Sequence, residues 1–405
     1  MDLSKLQNGS DVRGVALAGV ENEPVTLDDA AVRAIAGGFA RFLRARLGKE
    51  SCRVSVGRDS RLSGGAIAET LCETLAACGA EVTDLGLCTT PAMFMTTVTG
   101  ERPFDAAVMI TASHLPWNRN GLKFFTAAGG AESADVREIL RLAAEETPLA
   151  PGGSVARGEF METYAAILRE KIIAAANGNE KPLAGKHIVV DAGNGAGGFF
   201  AERVLAPLGA DTAGSRYLDP DGRFPNHVPN PELPEVFEHA IRLANECGAD
   251  FIIGNDPDAD RTGVMIRGAD GQFITLTGNQ IGAMLLDYII TASRECGRLS
   301  EHAFAVKTIV STDMVTEICR RNGVQLYDVL TGFKFIGKVV SDYEERTGRS
   351  ADEDFLLGFE ESNGYARGTF LRDKDAVTAT VLLCEMAAYY HTKGKTVYQA
   401  LLDMY

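Results

Sequence analysis

The sequence predicts an α/β protein made of three similar α/β domains, with mixed, largely parallel sheets around a central cleft. Three observations lead there. Short apolar, β-branched stretches alternate with helical patterns along the 405 residues, the signature of strands joined by crossover helices. A chain this long exceeds one ordinary core, so two to four domains are expected. One phrase also recurs, a helix pattern ending on glycine before a short strand: LAACGAEVTDLG (75–86), LAPLGADTAG (205–214) and CRRNGVQLYDV (319–329). Its glycines, Gly79, Gly209 and Gly323, lie 130 and 114 residues apart and read as helix C-caps before crossover strands.

In chain order, the predicted strands are RVSVG (53–57), AAVMI (106–110), HIVVD (187–191), ADFIIG (249–254), FAVKTIV (304–310) and FLLGF (355–359). Amphipathic stretches such as AIAETLCETLAACG (66–79) lie between them. Polar joints rich in glycine or proline fall at 146–158, 175–186 and 294–302, which suggests domains at 1–180, 181–298 and 299–405. The proline-rich segment 219–235 is read as a long ordered loop, because core-forming stretches flank it.

Composition narrows the function. A net charge of −15 argues against a nucleic-acid groove, which needs a basic stripe. It leaves room for a small anionic ligand wherever the fold gathers a few Arg and Lys. No apolar run reaches the ~20 residues of a membrane helix. The start, MDLSKLQNGSDVRG, lacks the apolar core of a signal peptide. Eight scattered cysteines without a C-x-x-C pair read as reduced, mostly buried thiols of a cytoplasmic protein.

Ligands of parallel sheets collect beyond the carboxyl ends of the strands, and four sets of polar residues stand there. Thr111-Ala112-Ser113-His114 follows AAVMI; an exposed serine in that place serves as nucleophile, N-cap or turn residue. No G-x-S-x-G elbow accompanies it, so a hydrolase triad fits poorly. Asp256-Pro257-Asp258-Ala259-Asp260-Arg261 follows ADFIIGN. Its alternating carboxylates point one way and repel unless a hard cation such as Mg²⁺ or Ca²⁺ sits between them. Arg261 and Arg267 stand where an EF-hand needs glycine and glutamate, which excludes that motif. GFEESNGY (358–365) sets Glu360 and Ser362 on one face of an extended loop, a grip for a diol or an ordinary turn. The fourth set is cationic: Arg13, Arg58, Lys123, Lys334, Arg372 and Lys374 lie at loops and turns, as a phosphate cradle requires. DAGNGAGG (191–198) does not match G-x-G-x-x-G in register and is read as a close βα turn.

Together these stretches resemble the α-D-phosphohexomutases, the phosphoglucomutase and phosphomannomutase family. The T-A-S-H-x-P box with its lysine ten residues on, the D-x-D-x-D-R loop, the G-E-E-S-type loop and R-D-K-D-A occur in family order across residues 11–376. The resemblance implies an intramolecular phosphoryl shift between O1 and O6 of a hexose phosphate through a phosphoserine and a hexose 1,6-bisphosphate. Ser113 matches the phosphorylated serine. Asp256, Asp258 and Asp260 match the carboxylates that hold Mg²⁺ beside it, with Ser113 as a further ligand. His114, Lys123 and Arg261 match residues of the reaction centre, with Lys123 as the proton carrier. Arg13, Arg58, Lys334, Glu360, Glu361, Ser362, Arg372 and Lys374 match substrate-binding positions. The implied partner is a small hexose phosphate, with no nucleic acid or membrane, in a monomer or homodimer.

Three departures carry consequences. Phe359 precedes the glutamates, leaving open which of Glu360 and Glu361 grips the sugar. The histidine that the phosphomannomutase branch carries just after this loop is absent, with Asn363 and Tyr365 nearby, which favours glucose over mannose. The family's fourth domain, with its S-G-T-E-type phosphate loop, has no counterpart string. Slow turnover is expected without it, with Arg372 and Lys374 left to hold the distal phosphate. A non-catalytic sugar-phosphate-binding protein and a Mg²⁺-dependent sugar phosphatase are the alternatives.

Overall fold

The computed structural model describes residues 2–145, 149–150, 152–176, 178–231, 233–369, 374 and 376–405. The chain forms two compact units. The first holds Met1–Tyr164, Asn194–Ala196 and Asp219–Pro229; the second holds Ala165–Gly193, Gly197–Leu218 and Asn230–Tyr405.

The first unit is built on one mixed sheet of eight strands. Arg53–Arg58 lies at its middle, parallel to both Glu81–Leu87 and Ala106–Ile110. Ala106–Ile110 turns back antiparallel into Arg119–Thr126, which pairs with Asp11–Val15. Every side chain of Ala106–Ile110 is fully buried, as a strand covered on both faces should be. The helix Asp29–Leu47 begins where the Asp28 side chain accepts the Ala31 amide, and ends on Gly48 in the left-handed region. Gly38 brings it close to the helix Ser133–Ala143: a Cβ there would stand 2.4 Å from the Ile139 carbonyl oxygen. Phe39 and Phe124 meet in this core with ring centroids 4.5 Å apart.

The second unit carries two four-stranded sheets. In one, Ile188–Asp191 runs parallel to Phe251–Asn255, which continues antiparallel through Thr262–Arg267 to Phe273–Leu276. In the other, Phe304–Thr308 lies parallel to both Gln325–Val329 and Phe355–Glu360. Phe355–Glu360 then folds back on Gly364–Ala366. The sheets are mixed, as predicted: helices cross over between parallel strands, and the antiparallel neighbours Ala106–Ile110 and Arg119–Thr126, and Phe251–Asn255 and Thr262–Arg267, are joined by the loops 111–118 and 256–261.

Gly79, Gly209 and Gly323 all take positive φ, at 89°, 98° and 70°. Only Gly323 is itself the cap of its helix, Met314–Asn322. Cys78 caps Gly64–Ala77, and the element before Gly209 is a five-residue π-helical turn, Ala201–Leu205, capped by Ala206. The strand expected after Gly209 is reduced to two isolated bridges, His187 with Asp211 and Asp191 with Arg216. Asp211 and Ser215 turn their side chains onto nearby backbone amides instead of extending a ladder. Of the expected loop 219–235, residues 219–231 contain no helix or strand, in keeping with their prolines, but its end enters a 3-10 turn, Pro234–Phe237. All eight cysteines are free, and six of them are buried. Among the described residues no helix is long and apolar enough to cross a membrane.

Candidate functional site

The first part of the candidate site is the loop after Ala106–Ile110. Thr111 Oγ1 donates to Asp59 Oδ2 at 2.7 Å and accepts the Ser113 amide at 2.8 Å. Ser113 takes φ = 52°, a left-handed conformation rare for a non-glycine residue and costing about 1 kcal/mol or more. The exposed serine expected from the sequence is instead only 2% exposed. The left-handed turn and the hydrogen bond to Thr111 draw it inward. Its hydroxyl lies 3.4 Å from His114 Nδ1.

Arg13 donates to the Ala112 carbonyl at 3.1 Å while paired with Asp11 at 2.9 Å. Arg58, in register with Ile110, ends the neighbouring strand and lays its stem against Gly64. Lys123 stands opposite Met109 in the adjacent antiparallel strand and is 8% exposed. The first unit therefore gathers Ser113, His114, Lys123, Arg13 and Arg58 on two parallel strand ends and their antiparallel partners.

Two residues that sequence reasoning passed over hold this loop. Asp59 and Arg61 form an ion pair of 3.2 Å with both side chains fully buried. The Arg61 guanidinium donates to the carbonyls of Ser113 (2.5 Å), Leu115 (2.6 Å), Pro116 (2.6 Å) and Arg119 (2.9 Å). The sequence signal was available in GRDSR, where a carboxylate and a guanidinium stand two residues apart just past a strand.

The second part is the acidic loop after Phe251–Asn255, in the second unit. Asp256, Asp258 and Asp260 are all buried, and one carboxylate oxygen from each lies within 4.8 Å of the others. Asp256 Oδ1 accepts the amides of Asp260 and Arg261, both at 3.1 Å, and Ala259 takes φ = 52° to close the turn. Lys374 reaches Asp260 Oδ2 at 3.4 Å. Burial, reinforced by Asp258 and Asp260, pushes the Asp256 carboxyl well above the usual carboxylate range, with Arg261 pulling the other way. An all-oxygen donor set of buried like charges fits a hard divalent cation, whose charge would relieve that cost.

The glycine-rich turn 191–198, read from the sequence as a close βα turn, is tightly packed, and Gly197 lies against the acidic loop. A Cβ on Gly197 would lie 3.3 Å from that of Ala259, and one on Gly198 would run into the Leu218 carbonyl oxygen.

The third part is the turn between Phe355–Glu360 and Gly364–Ala366. It is a tight hairpin rather than an extended loop, with Asn363 at φ = 62°. The Asn363 carbonyl accepts the Thr262 amide at 3.2 Å, which joins the hairpin to the strand leaving the acidic loop. The two glutamates differ in their engagements. Glu361 Oε2 accepts from Thr308 (2.8 Å) and more distantly from Ser311 (3.4 Å). Glu360, buried, accepts the Gly332 amide through Oε1 at 2.8 Å, and its other oxygen lies beside Gly364 together with the Lys374 stem. Lys334 starts the helix Phe333–Thr347, its ammonium 5.1 Å from the Phe335 ring centre. Ser362 sits half-buried in the turn. Arg372 lies outside the described residues. The second unit thus unites the three aspartates, Arg261, Lys334, Glu360, Glu361, Ser362 and Lys374.

Comparison with known proteins gives three family matches along the chain. They are phosphoglucomutase/phosphomannomutase alpha/beta/alpha domain I at residues 4–149, domain II at 162–269 and domain III at 277–405. The phosphoglucomutase of Staphylococcus aureus (strain MRSA252) is 30% identical over 309 residues, which are 74% of this chain and 54% of that protein. The chain therefore spans about half the length of the curated relatives it matches. A phosphoglucomutase/phosphomannomutase family protein from Burkholderia thailandensis superposes with a TM-score of 0.75 at 26% identity, covering 96% of this chain and 78% of its own. The open form of parafusin, a phosphoglucomutase from Paramecium, has the same fold, with a TM-score of 0.75 at 17% identity over 98% of this chain and 73% of its own.

Proposed function

From a chain that belongs to the phosphoglucomutase/phosphomannomutase family, we propose a phosphohexomutase that moves a phosphoryl group between O1 and O6 of a hexose phosphate. The observation that carries this reading is the buried aspartate trio, which is costly to fold unless a divalent cation binds it. In this reading the phosphoserine part spans 1–180, the metal-binding part 181–298 and the sugar-binding part 299–405.

Asp256, Asp258 and Asp260 hold Mg²⁺, and Ser113 carries the phosphoryl group. The bound ion supplies charge neutralisation on the phosphoryl oxygens during transfer. The bond from Ser113 Oγ to phosphorus breaks as a hexose hydroxyl oxygen forms the new one. Lys123 takes the hydroxyl proton and passes it to the departing Ser113 Oγ, which His114 orients, leaving a hexose 1,6-bisphosphate. Transfer of the second phosphate back to Ser113 Oγ restores the enzyme. The bisphosphate therefore also primes an unphosphorylated chain.

Arg13, Arg58 and Arg261 meet anionic oxygens. Glu360 and Ser362 grip sugar hydroxyls, and Lys334, Arg372 and Lys374 complete the anion-binding set. Glu360 is favoured over Glu361 as the sugar ligand, because two hydroxyls tether Glu361 to the end of Phe304–Thr308. Glucose is favoured over mannose because the histidine expected of the mannose branch is absent, with Asn363 and Tyr365 nearby. The eight free thiols suit a cytoplasmic protein, as monomer or homodimer.

The test is incubation with glucose 1,6-bisphosphate and Mg²⁺, followed by peptide mass measurement and a coupled assay with glucose 1-phosphate and mannose 1-phosphate. Phosphate on Ser113 with glucose 6-phosphate formation is expected. Release of inorganic phosphate alone would indicate a phosphatase, and an unmodified serine a binding protein.

A further inference from the structure

We propose that Arg61 is a positioning residue, clamped by Asp59, that holds the Ser113 loop in its left-handed conformation. The proposal rests on the reading of Ser113 as the phosphoryl carrier for its catalytic consequence, but its structural content stands independently.

A guanidinium has five N–H donors and no acceptor. Here Nε is directed at Asp59, one terminal nitrogen at the Ser113 and Leu115 carbonyls, and the other at those of Pro116 and Arg119. All five are thereby engaged by the fold itself, so Arg61 is not a phosphate ligand. Its work is to collect backbone.

Ser113 needs such an anchor. Left-handed backbone at a residue with a Cβ persists only where its surroundings over-determine it. Arg61 grips the loop on the carbonyl side of Ser113, and Asp59 grips the amide side, since it orients the Thr111 hydroxyl that accepts the Ser113 N–H. One buried ion pair therefore fixes both peptide groups of a single residue. A trans peptide directs N–H opposite to C=O, so the pull on the Ser113 carbonyl also turns the His114 amide away from Arg61.

The clamp has a roof. The Phe224 ring lies 5.2 Å from the Arg61 guanidinium carbon. Gly222 runs so close to 60–62 that a Cβ would stand 2.4 Å from the Ser60 carbonyl oxygen and 2.6 Å from Arg61 Cα. Residues 219–229, distant in sequence, thus keep the ion pair dry, where its hydrogen bonds are strongest. A lysine keeps the charge but offers three donors without the planar fork, and cannot reproduce five directed bonds.

The experiment combines amide hydrogen exchange with steady-state kinetics on Arg61→Lys, Arg61→Met and Thr111→Val. Arg61→Lys is expected to speed exchange across 111–120 by about tenfold or more, while the helix Asp29–Leu47 keeps its wild-type rates. The kcat for glucose 1-phosphate should fall by about 100-fold with KM within about threefold, because the substrate ligands are intact and only the serine is misplaced. Wild-type exchange across 111–120 in Arg61→Lys overturns the proposal, as does a uniform rise over the whole unit. If the arginine variants do not fold, Thr111→Val decides: a faster Ser113 amide is expected, and an unchanged one overturns the clamp. A wild-type chain that never carries phosphate on Ser113 would defeat the mutase reading alone, since the exchange result would still judge the clamp.

Discussion

The Ser113 loop and the Asp256–Asp260 loop solve the same geometric problem in opposite electrostatic ways. Each follows a fully buried five-residue strand, and each turns through a non-glycine residue at φ = 52°, Ser113 in one and Ala259 in the other. In the first loop the buried Asp59 has an arginine partner, and the peptide carbonyls have its guanidinium. In the second, three buried carboxylates crowd within 4.8 Å, with Lys374 paired to Asp260. In one loop the buried carboxylate is matched by a guanidinium; the other gathers like charges whose repulsion a divalent cation would relieve. Under the proposed function the first loop would gain from internal closure, since it presents the covalent carrier, and the second from crowded like charges, since it recruits an ion.

The largest effect expected is chemical. Ser113→Ala should lower phosphoryl transfer by at least ~10³-fold, with no phosphate on the 111–123 peptide, while thermal unfolding stays near wild type. Retained transfer would move the carrier elsewhere and dissolve the pairing of the two loops.

The same conservative change should then have opposite signs in the two loops. Asp59→Asn strands the buried Arg61 charge and is expected to destabilise by about 3 kcal/mol in urea titrations. Asp258→Asn in the metal-free chain removes one of three repelling charges and should stabilise by about 1 kcal/mol. Equal signs would refute the contrast drawn here.

Metal itself should separate the loops next. Mg²⁺ at 100 times its dissociation constant is expected to add about 2.7 kcal/mol to the stability of the wild type and nothing to Asp258→Asn. The same addition should leave Asp59→Asn as responsive as the wild type.

The smallest effect sharpens the rule inside the second unit. Asp354 is buried, which alone would raise its pKa, yet hydrogen bonds from Arg349, Ser300 and Tyr343 hold it down at about 2. Its folded value lies below its unfolded one, so its stabilisation is full above about pH 4 and is lost as pH falls towards 2. Arg349→Met should lose part of that acid-sensitive contribution, seen as a shallower decline in stability over this window. Asp354 with its arginine thus behaves oppositely to Asp256 amid its carboxylates.

Much of this was legible in the sequence. Asp256, Asp258 and Asp260 announced themselves as like charges crowded just past an apolar strand, although the segment is a turn closed at Ala259 and not the extended stretch that was expected. The strands were legible because buried parallel strands are continuous apolar runs. Arg61 was not, because its partners are backbone carbonyls, which carry no residue-type signature. The roof that Phe224 forms over it comes from more than 160 residues away. The burial of Ser113 was also hidden, since a strand end reads as exposed until the contacts of its loop are known.

By itself the sequence determined the α/β alternation, the family pattern and the candidate side chains for the proposed chemistry, all properties of local spacing and residue type. Tertiary structure alone decided which of those groups are satisfied. It directed all five Arg61 donors to the fold, tethered Glu361 while giving Glu360 a single backbone amide, and packed three aspartates together beneath the surface. The reason is physical: a charge's cost or value depends on its solvent and its partners, and both are supplied by residues far along the chain.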